Sequence, residues 1–249
     1  ALPVDVNGAL TNALRTLGRQ EDATLFMSLL AAFAVLVHQS TGADRLVLGT
    51  DIANRRHAEL DGLIGLFVNQ LALSFDLSGD PTFREILRQV RRDTLEAYTY
   101  QDAPFDRLVD LLSPERDLSR TPLFQLKLVL QNAPRAEQSL RDLTVAPLDL
   151  PRQSAKFDLL LNLIESGDGI SGQAEYSTDL FEAATIARFL DGWTLILRIV
   201  AERPDTPLRE IGSELARLQA RNEEQQDQER WSNSLARKRR RVLVDHTVS

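Results

Sequence analysis

FDLLLNLIESGDGISGQAEY, Phe157–Tyr176, is the stretch that decides the fold. Two apolar runs, Phe157–Ile164 and Ile170–Tyr176, flank Gly167-Asp168-Gly169. This pattern reads as two strands joined by a hairpin whose loop is longer than a two-residue turn. Upstream, Phe124–Leu130 and Leu143–Leu148 read as two more strands. Earlier still, Leu46–Ile52 predicts a strand, and Asn69–Asp76 alternates, with Leu71, Leu73 and Phe75 on one face and Gln70, Ser74 and Asp76 mostly on the other.

Helical patterns separate these runs. Val6, Leu10, Ala13, Leu14 and Leu17 recur at helical spacing, with Gly18 near the stop. Thr24 to Ser40 is apolar on most sides, the pattern of a helix buried on several faces. Asp80 is the expected N-cap of a helix with Pro81 in its first position and an inward stripe of Phe83, Ile86, Leu87, Val90, Ala97 and Tyr98. A short helix, Phe105 to Leu112, follows Pro104. Asp179 with Glu182 resembles a capping box that opens a last helix to about Ala201, ended by Pro204 and Pro207. The order predicts an α/β two-layer sandwich, a mixed β-sheet covered by helices. Residues 1–215 form the expected domain and 216–249 a helical or disordered linker or tail.

The chain has 249 residues, 43% of them hydrophobic, enough for a sizeable core. No apolar run reaches the ~18–20 residues of a membrane-spanning helix. Cysteine is absent, which excludes disulfides and thiolate metal sites and fits a reducing, cytoplasmic setting. A net charge of −7 argues against nonspecific nucleic-acid binding. The exception is Arg237-Lys238-Arg239-Arg240-Arg241, either a solvated tail or a site for an acidic partner or nucleic acid.

Self-contained acid–base or nucleophilic chemistry has little support. There is no Gly-x-Ser-x-Gly, no P-loop and no His-Glu-x-x-His. The three histidines, His38, His57 and His246, lack neighbours at metal-ligand or triad spacing. His38 reads as a structural residue at a helix C-terminus, His57 as loop surface and His246 as part of the tail.

Three blocks carry a resemblance: Ile64-Gly65-Leu66-Phe67-Val68-Asn69-Gln70, Tyr100-Gln101-Asp102-Ala103-Pro104-Phe105-Asp106 and Arg116-Asp117-Leu118-Ser119-Arg120-Thr121-Pro122-Leu123. With Thr24-Leu25-Phe26-Met27 and Val47–Arg55, they resemble the C-terminal lobe of a nonribosomal peptide synthetase condensation domain, a half-domain of the chloramphenicol acetyltransferase-like superfamily. The family's His-His-x-x-x-Asp-Gly motif does not occur in this sequence. The resemblance implies amide-bond formation between carrier-protein-tethered acyl or peptidyl and aminoacyl thioesters. It implies no directly bound cofactor, since 4′-phosphopantetheine arms carry the substrates. The implied partners are the N-terminal lobe and the carrier proteins, with no membrane or nucleic-acid role.

It also implies site residues. Arg55 would pair with the aspartate of the histidine motif, a task suited to a guanidinium that grips a carboxylate through two bonds. Asn54, Gly65, Asn69, Tyr100 and Gln101 would lie along the substrate and pantetheine tunnel. Asn69 either contacts a substrate amide or caps a turn. Gln101 and Asp102 either contact substrate or close a helix, and Leu66 and Phe67 read as core. Arg116, Asp117 and Arg120 would brace a loop. The chain departs from the family pattern twice: Tyr100 stands where His or Asn is usual, and Asp51 where proline is common. The alternatives are a noncatalytic condensation-like module that recruits carrier proteins or tailoring enzymes, and part of an epimerisation or heterocyclisation domain.

Overall fold

The computed structural model describes residues 1–55, 58–60, 62–112, 121–131, 154–167, 169–222 and 224. Residues 1–208 form one compact unit. Residues 209–249 form a second, helical through residue 222.

Among the described residues the first unit has six strands: β1 (Leu2–Val6), β2 (Arg45–Ile52), β3 (Asn69–Asp76), β4 (Leu126–Gln131), β5 (Leu159–Ser166) and β6 (Gly169–Tyr176). They lie in the order β1-β6-β5-β4-β2-β3. The β2–β4 and β4–β5 pairings are parallel and the others antiparallel, so the sheet is mixed. The expected strand 143–148 lies outside the described residues.

Alternation gives the sheet two unlike faces. Leu46, Leu48, Leu71, Leu73, Phe75, Leu128, Leu161, Leu163 and Ala174 point to one face and are buried. The helices are α1 (Gly8–Gln20), α2 (Leu25–Thr41), α3 (Phe83–Thr99), α4 (Phe105–Leu112) and α5 (Ala183–Glu202), and α1, α2, α3 and α5 pack against that side. The other face carries Val47, Gly49 and Asp51 of β2, Gln70, Ala72 and Ser74 of β3, and Lys127 of β4. This is the expected two-layer sandwich, with a polar face left for function.

α2 is the centre of the helical layer. Its buried residues run unbroken from Met27 to Val37, and Phe33 meets Phe189 of α5 edge to face at 6.2 Å. Each large side chain so buried contributes roughly 1.5–3 kcal/mol. Thr24 Oγ1 accepts from the Met27 N–H at 3.2 Å. Gly42, at φ 70°, stops the helix by donating its N–H to His38 O at 2.7 Å. His38 is the expected C-terminal helix residue, its Nδ1 2.9 Å from Ala43 O.

Several elements differ from their expectations. Val6 belongs to β1, and α1 begins only at Gly8, capped by the Asn7 side chain. Asp80 does not cap α3. It holds φ 58° in the turn, and Thr82 is the N-cap, exchanging hydrogen bonds with Glu85 in a capping box. Glu182 is the N-cap of α5, without a side-chain hydrogen bond, so the Asp179–Glu182 box does not form. Ser166 pairs with Gly169, which leaves two residues in the hairpin connection, shorter than expected.

A charged cluster ties the end of α1 to the edge of the helical layer. Glu21 accepts from Arg84 and, at 2.6 Å, from Arg88, and Arg84 also binds Asp205 at 2.7 Å. Burial alone would raise the Glu21 carboxyl, but hydrogen bonds and charge from Arg88 and Arg84 hold it below its usual range.

Candidate functional site

Two of the quoted blocks meet through one side chain. Asn69 opens β3, and its amide nitrogen donates to Gln101 O at 2.9 Å and Ala103 O at 2.8 Å. Its amide oxygen accepts from the Phe105 N–H at 3.2 Å. A carboxamide offers two donors and an acceptor, and all are used here on the backbone of the 101–105 turn. Asn69 therefore clasps the connection between α3 and α4 (Phe105–Leu112) to the sheet. Of its two expected roles, the turn-holding one is what the geometry displays.

Gln101 likewise serves its helix, donating from Nε2 to Tyr98 O at 2.9 Å. Tyr100 caps the C-terminus of α3 and is 70% exposed.

β2 ends at Ile52, and Asn54 follows at φ 53°, a left-handed conformation that asparagine tolerates. Arg55 comes next. It donates to Leu60 O and, at 2.9 Å, to Leu63 O, and its guanidinium lies 4.2 Å from the Phe67 ring centroid. It holds its own loop by hydrogen bonds and a cation–π contact. Gly65 also faces Phe67, and a Cβ there would lie 3.1 Å from the ring.

Leu66 is not core: it is 92% exposed, beside Ile64 at 105%. With Leu63 and Val68 it makes an apolar ridge, the kind of patch that marks an interaction surface. Arg116, Asp117 and Arg120 lie outside the described residues, as do His57 and His246.

Thr121 to Leu123 end the third block and aim an aromatic ring. Leu123 stands at φ 67°, and the Phe124 N–H donates back to Pro122 O at 2.8 Å. Such a tight turn is strained, at about 1–3 kcal/mol for a non-glycine residue. Thr121 Oγ1 donating to Phe124 O at 2.7 Å, and Gln125 Nε2 donating to Thr121 O at 3.0 Å, help hold it. The turn drives Phe124 over Gly49, the one bare position on that stretch of β2. Phe105 and Phe157 flank the ring at centroid distances of 5.5 and 5.7 Å.

Beside this stack opens a cleft of about 980 Å³, lined in part by Asp51, Asn69, Phe105, Lys127, Phe157 and Glu175. Lys127 is 3% exposed. Its Nζ lies 2.6 Å from Asp51 Oδ1 and 4.7 Å from the Phe157 ring centroid. A buried ammonium requires such compensation. Sequence reasoning does not single out Lys127 or Phe157. The available signal is a lysine between two leucines, Leu126 and Leu128, in an apolar strand. Among the described residues no cluster of His, Asp or Glu suits a metal ion.

Comparison with known proteins agrees with the quoted blocks. The condensation-domain family pattern matches residues 2–221. A linear gramicidin synthase of Brevibacillus parabrevis is 45% identical over 201 residues, 80% of this chain and 3% of that protein. Malpinin synthetase of Mortierella alpina is 46% identical over 179 residues, 72% of this chain and 2% of that protein. The X-domain of teicoplanin biosynthesis, solved in complex with OxyB, superposes with a TM-score of 0.76 at 26% identity, covering 84% of this chain and 47% of that one. The four-domain synthetase holo-AB3403, bound to AMP and glycine, gives 0.75 at 26% identity over 84% of this chain and 17% of its own. The chain thus spans a few per cent of these curated relatives and about half of the solved X-domain.

Proposed function

Because the chain belongs to the condensation-domain family of nonribosomal peptide synthetases, we propose that it is the C-terminal lobe of such a domain and forms one wall of its active site. The reaction joins an acyl or peptidyl thioester to the amine of an aminoacyl thioester, both tethered to carrier proteins by 4′-phosphopantetheine. The amine nitrogen attacks the thioester carbonyl, the new C–N bond forms, and the donor thiol departs as the nitrogen loses a proton.

The observation that carries this reading is the Asn69 clasp. It joins the Ile64–Gln70 and Tyr100–Asp106 blocks at the edge of a cleft large enough for a substrate arm. Among the described residues no histidine lines this wall. Asn69 and Gln101 are engaged with backbone, and Asp51 is engaged with Lys127. The base belongs to the histidine motif of an N-terminal lobe. The ridge Leu63, Ile64, Leu66 and Val68 is the apolar surface on which that lobe would seat. Arg55 stands at the foot of the same loop and would exchange its carbonyl partners for the motif's aspartate.

Loaded donor and acceptor carriers, incubated with this chain alone and with a two-lobe protein containing it, test the proposal. Mass spectrometry of the acceptor carrier should show the condensed product only with the two-lobe protein. Product from the chain alone, or from neither, overturns it. The likeness to an X-domain solved with OxyB favours a second reading, a noncatalytic recruiting module. In that case the two-lobe protein yields no amide and retains a tailoring enzyme in a pull-down.

A further inference from the structure

We propose that the Asp51–Lys127 pair is a recognition site for a primary carboxamide. On the proposed function, that group belongs to the side chain of the acceptor aminoacyl substrate. Three observations meet here.

The first is chemical. Lys127 is almost fully buried in a central strand, yet a buried ion pair contributes little net stability over an apolar pair of the same volume. Folding alone gives no reason for a lysine there.

The second is geometric. Asp51 Oδ1 and Lys127 Nζ stand side by side at 2.6 Å in the wall of the cleft. An ammonium has three donors and a carboxylate two acceptor oxygens, so one contact between them leaves hydrogen-bonding capacity on both. The pair thus presents a donor next to an acceptor. A primary carboxamide presents the complementary edge, its C=O accepting from Lys127 and its NH₂ donating to Asp51. Phe105, Phe157 and Leu160 supply apolar wall for the methylenes behind it.

The third is electrostatic. The pair is compensated internally, so it asks for a neutral ligand. The cleft around it carries both signs, the carboxylates of Asp106 and Glu175 and the ammonium of Lys156, so no single ligand charge is favoured there.

The test uses the 249-residue chain and analogues of glutaminyl-, glutamyl- and leucyl-N-acetylcysteamine in which an amide replaces the thioester. Calorimetric titration should give the glutaminyl analogue a Kd about tenfold or more below the other two, as expected for two hydrogen bonds. Lys127→Met should abolish that difference with circular dichroism unchanged. Asp51→Asn, which leaves the lysine charge uncompensated, should shift the preference to the glutamyl analogue, and the comparison of the three probes on the parent chain decides the matter if neither variant folds. Equal affinity for the three probes, or a preference retained in the variants, overturns the inference. The proposed reaction is judged separately. A chain that selects the glutaminyl probe while the two-lobe protein forms no amide keeps this site and loses the reaction. The reverse result keeps the reaction and loses the site.

Discussion

Gly49→Ala probes the packing that places the cleft. A Cβ at Gly49 would lie no farther than 2.5 Å from three ring carbons of Phe124. Ordinary carbon contacts need about 3.5–4.0 Å, so the ring must retreat by roughly 1 Å or more. It has little room to do so. Phe124 is buried, the Phe105 and Phe157 rings flank it, and the Leu123 turn fixes its backbone. If the ring tilts in place, overpacking costs about 1–3 kcal/mol. If it leaves its site, the loss approaches the ~3–5 kcal/mol of a Phe→Ala change in a core. Urea unfolding followed by circular dichroism measures this directly. Phe124→Ala removes the obstacle, so adding Gly49→Ala to it should cost less than about 0.5 kcal/mol, and the two changes should couple by about 1–3 kcal/mol. A single Gly49→Ala variant within about 0.5 kcal/mol of the parent, the range of neutral surface changes, would refute the reasoning.

Other expectations follow from the same contacts. Asn69→Ala removes three hydrogen bonds from the 101–105 turn and should cost about 1.5–4.5 kcal/mol in urea unfolding, because each bond contributes about 0.5–1.5 kcal/mol; Asn69→Asp, which loses both donors, should not rescue it. Asp51→Ala should destabilise more than Lys127→Met, since the first strands a buried ammonium and the second leaves a partly exposed carboxylate, and equal melting temperatures would contradict the pairing. Glu21 titrates below its usual value in the folded state, so its contribution is present above the unfolded pKa of about 4.3 and is lost as pH falls through the folded value. Arg84→Met should therefore flatten the fall in stability measured from about pH 5 downward, and an unchanged slope would remove Arg84 as the cause.

What the sequence revealed depended on how local the information was. β3 and α4 have the predicted bounds, Asn69–Asp76 and Phe105–Leu112, because strict alternation defines one and Pro104 the start of the other. β1 was hidden because Val6 also fits the helical spacing of Leu10, Ala13 and Leu14, and only pairing with β6 makes it a strand. At the start of α3 the sequence offers both Asp80 and Thr82. Glu85, three residues after Thr82, settles the cap. Leu66 looked like core by composition, but the ridge it belongs to faces outward.

The candidate site was legible in its blocks but not in their contacts. The Asn69 clasp joins residues more than thirty positions apart. The Asp51–Lys127 pair joins β2 to β4 across a parallel pairing whose register is fixed by Gly49 opposite Lys127. Gly49 itself gives no hint of Phe124 until the turn that leads into β4 lies against β2. Periodicity reports which face a residue takes, whereas pairing across the sheet decides whom it meets.

The central claim is that this chain forms one wall of a condensation site whose base stands on another lobe. Its most direct test is single-turnover transfer of a radiolabelled acyl group from a donor carrier to an aminoacyl-loaded acceptor carrier. With the two-lobe protein the label should move to the acceptor carrier as an amide, and with this chain alone it should stay on the donor. Label released as free acid, or held on the donor in both cases, would contradict it.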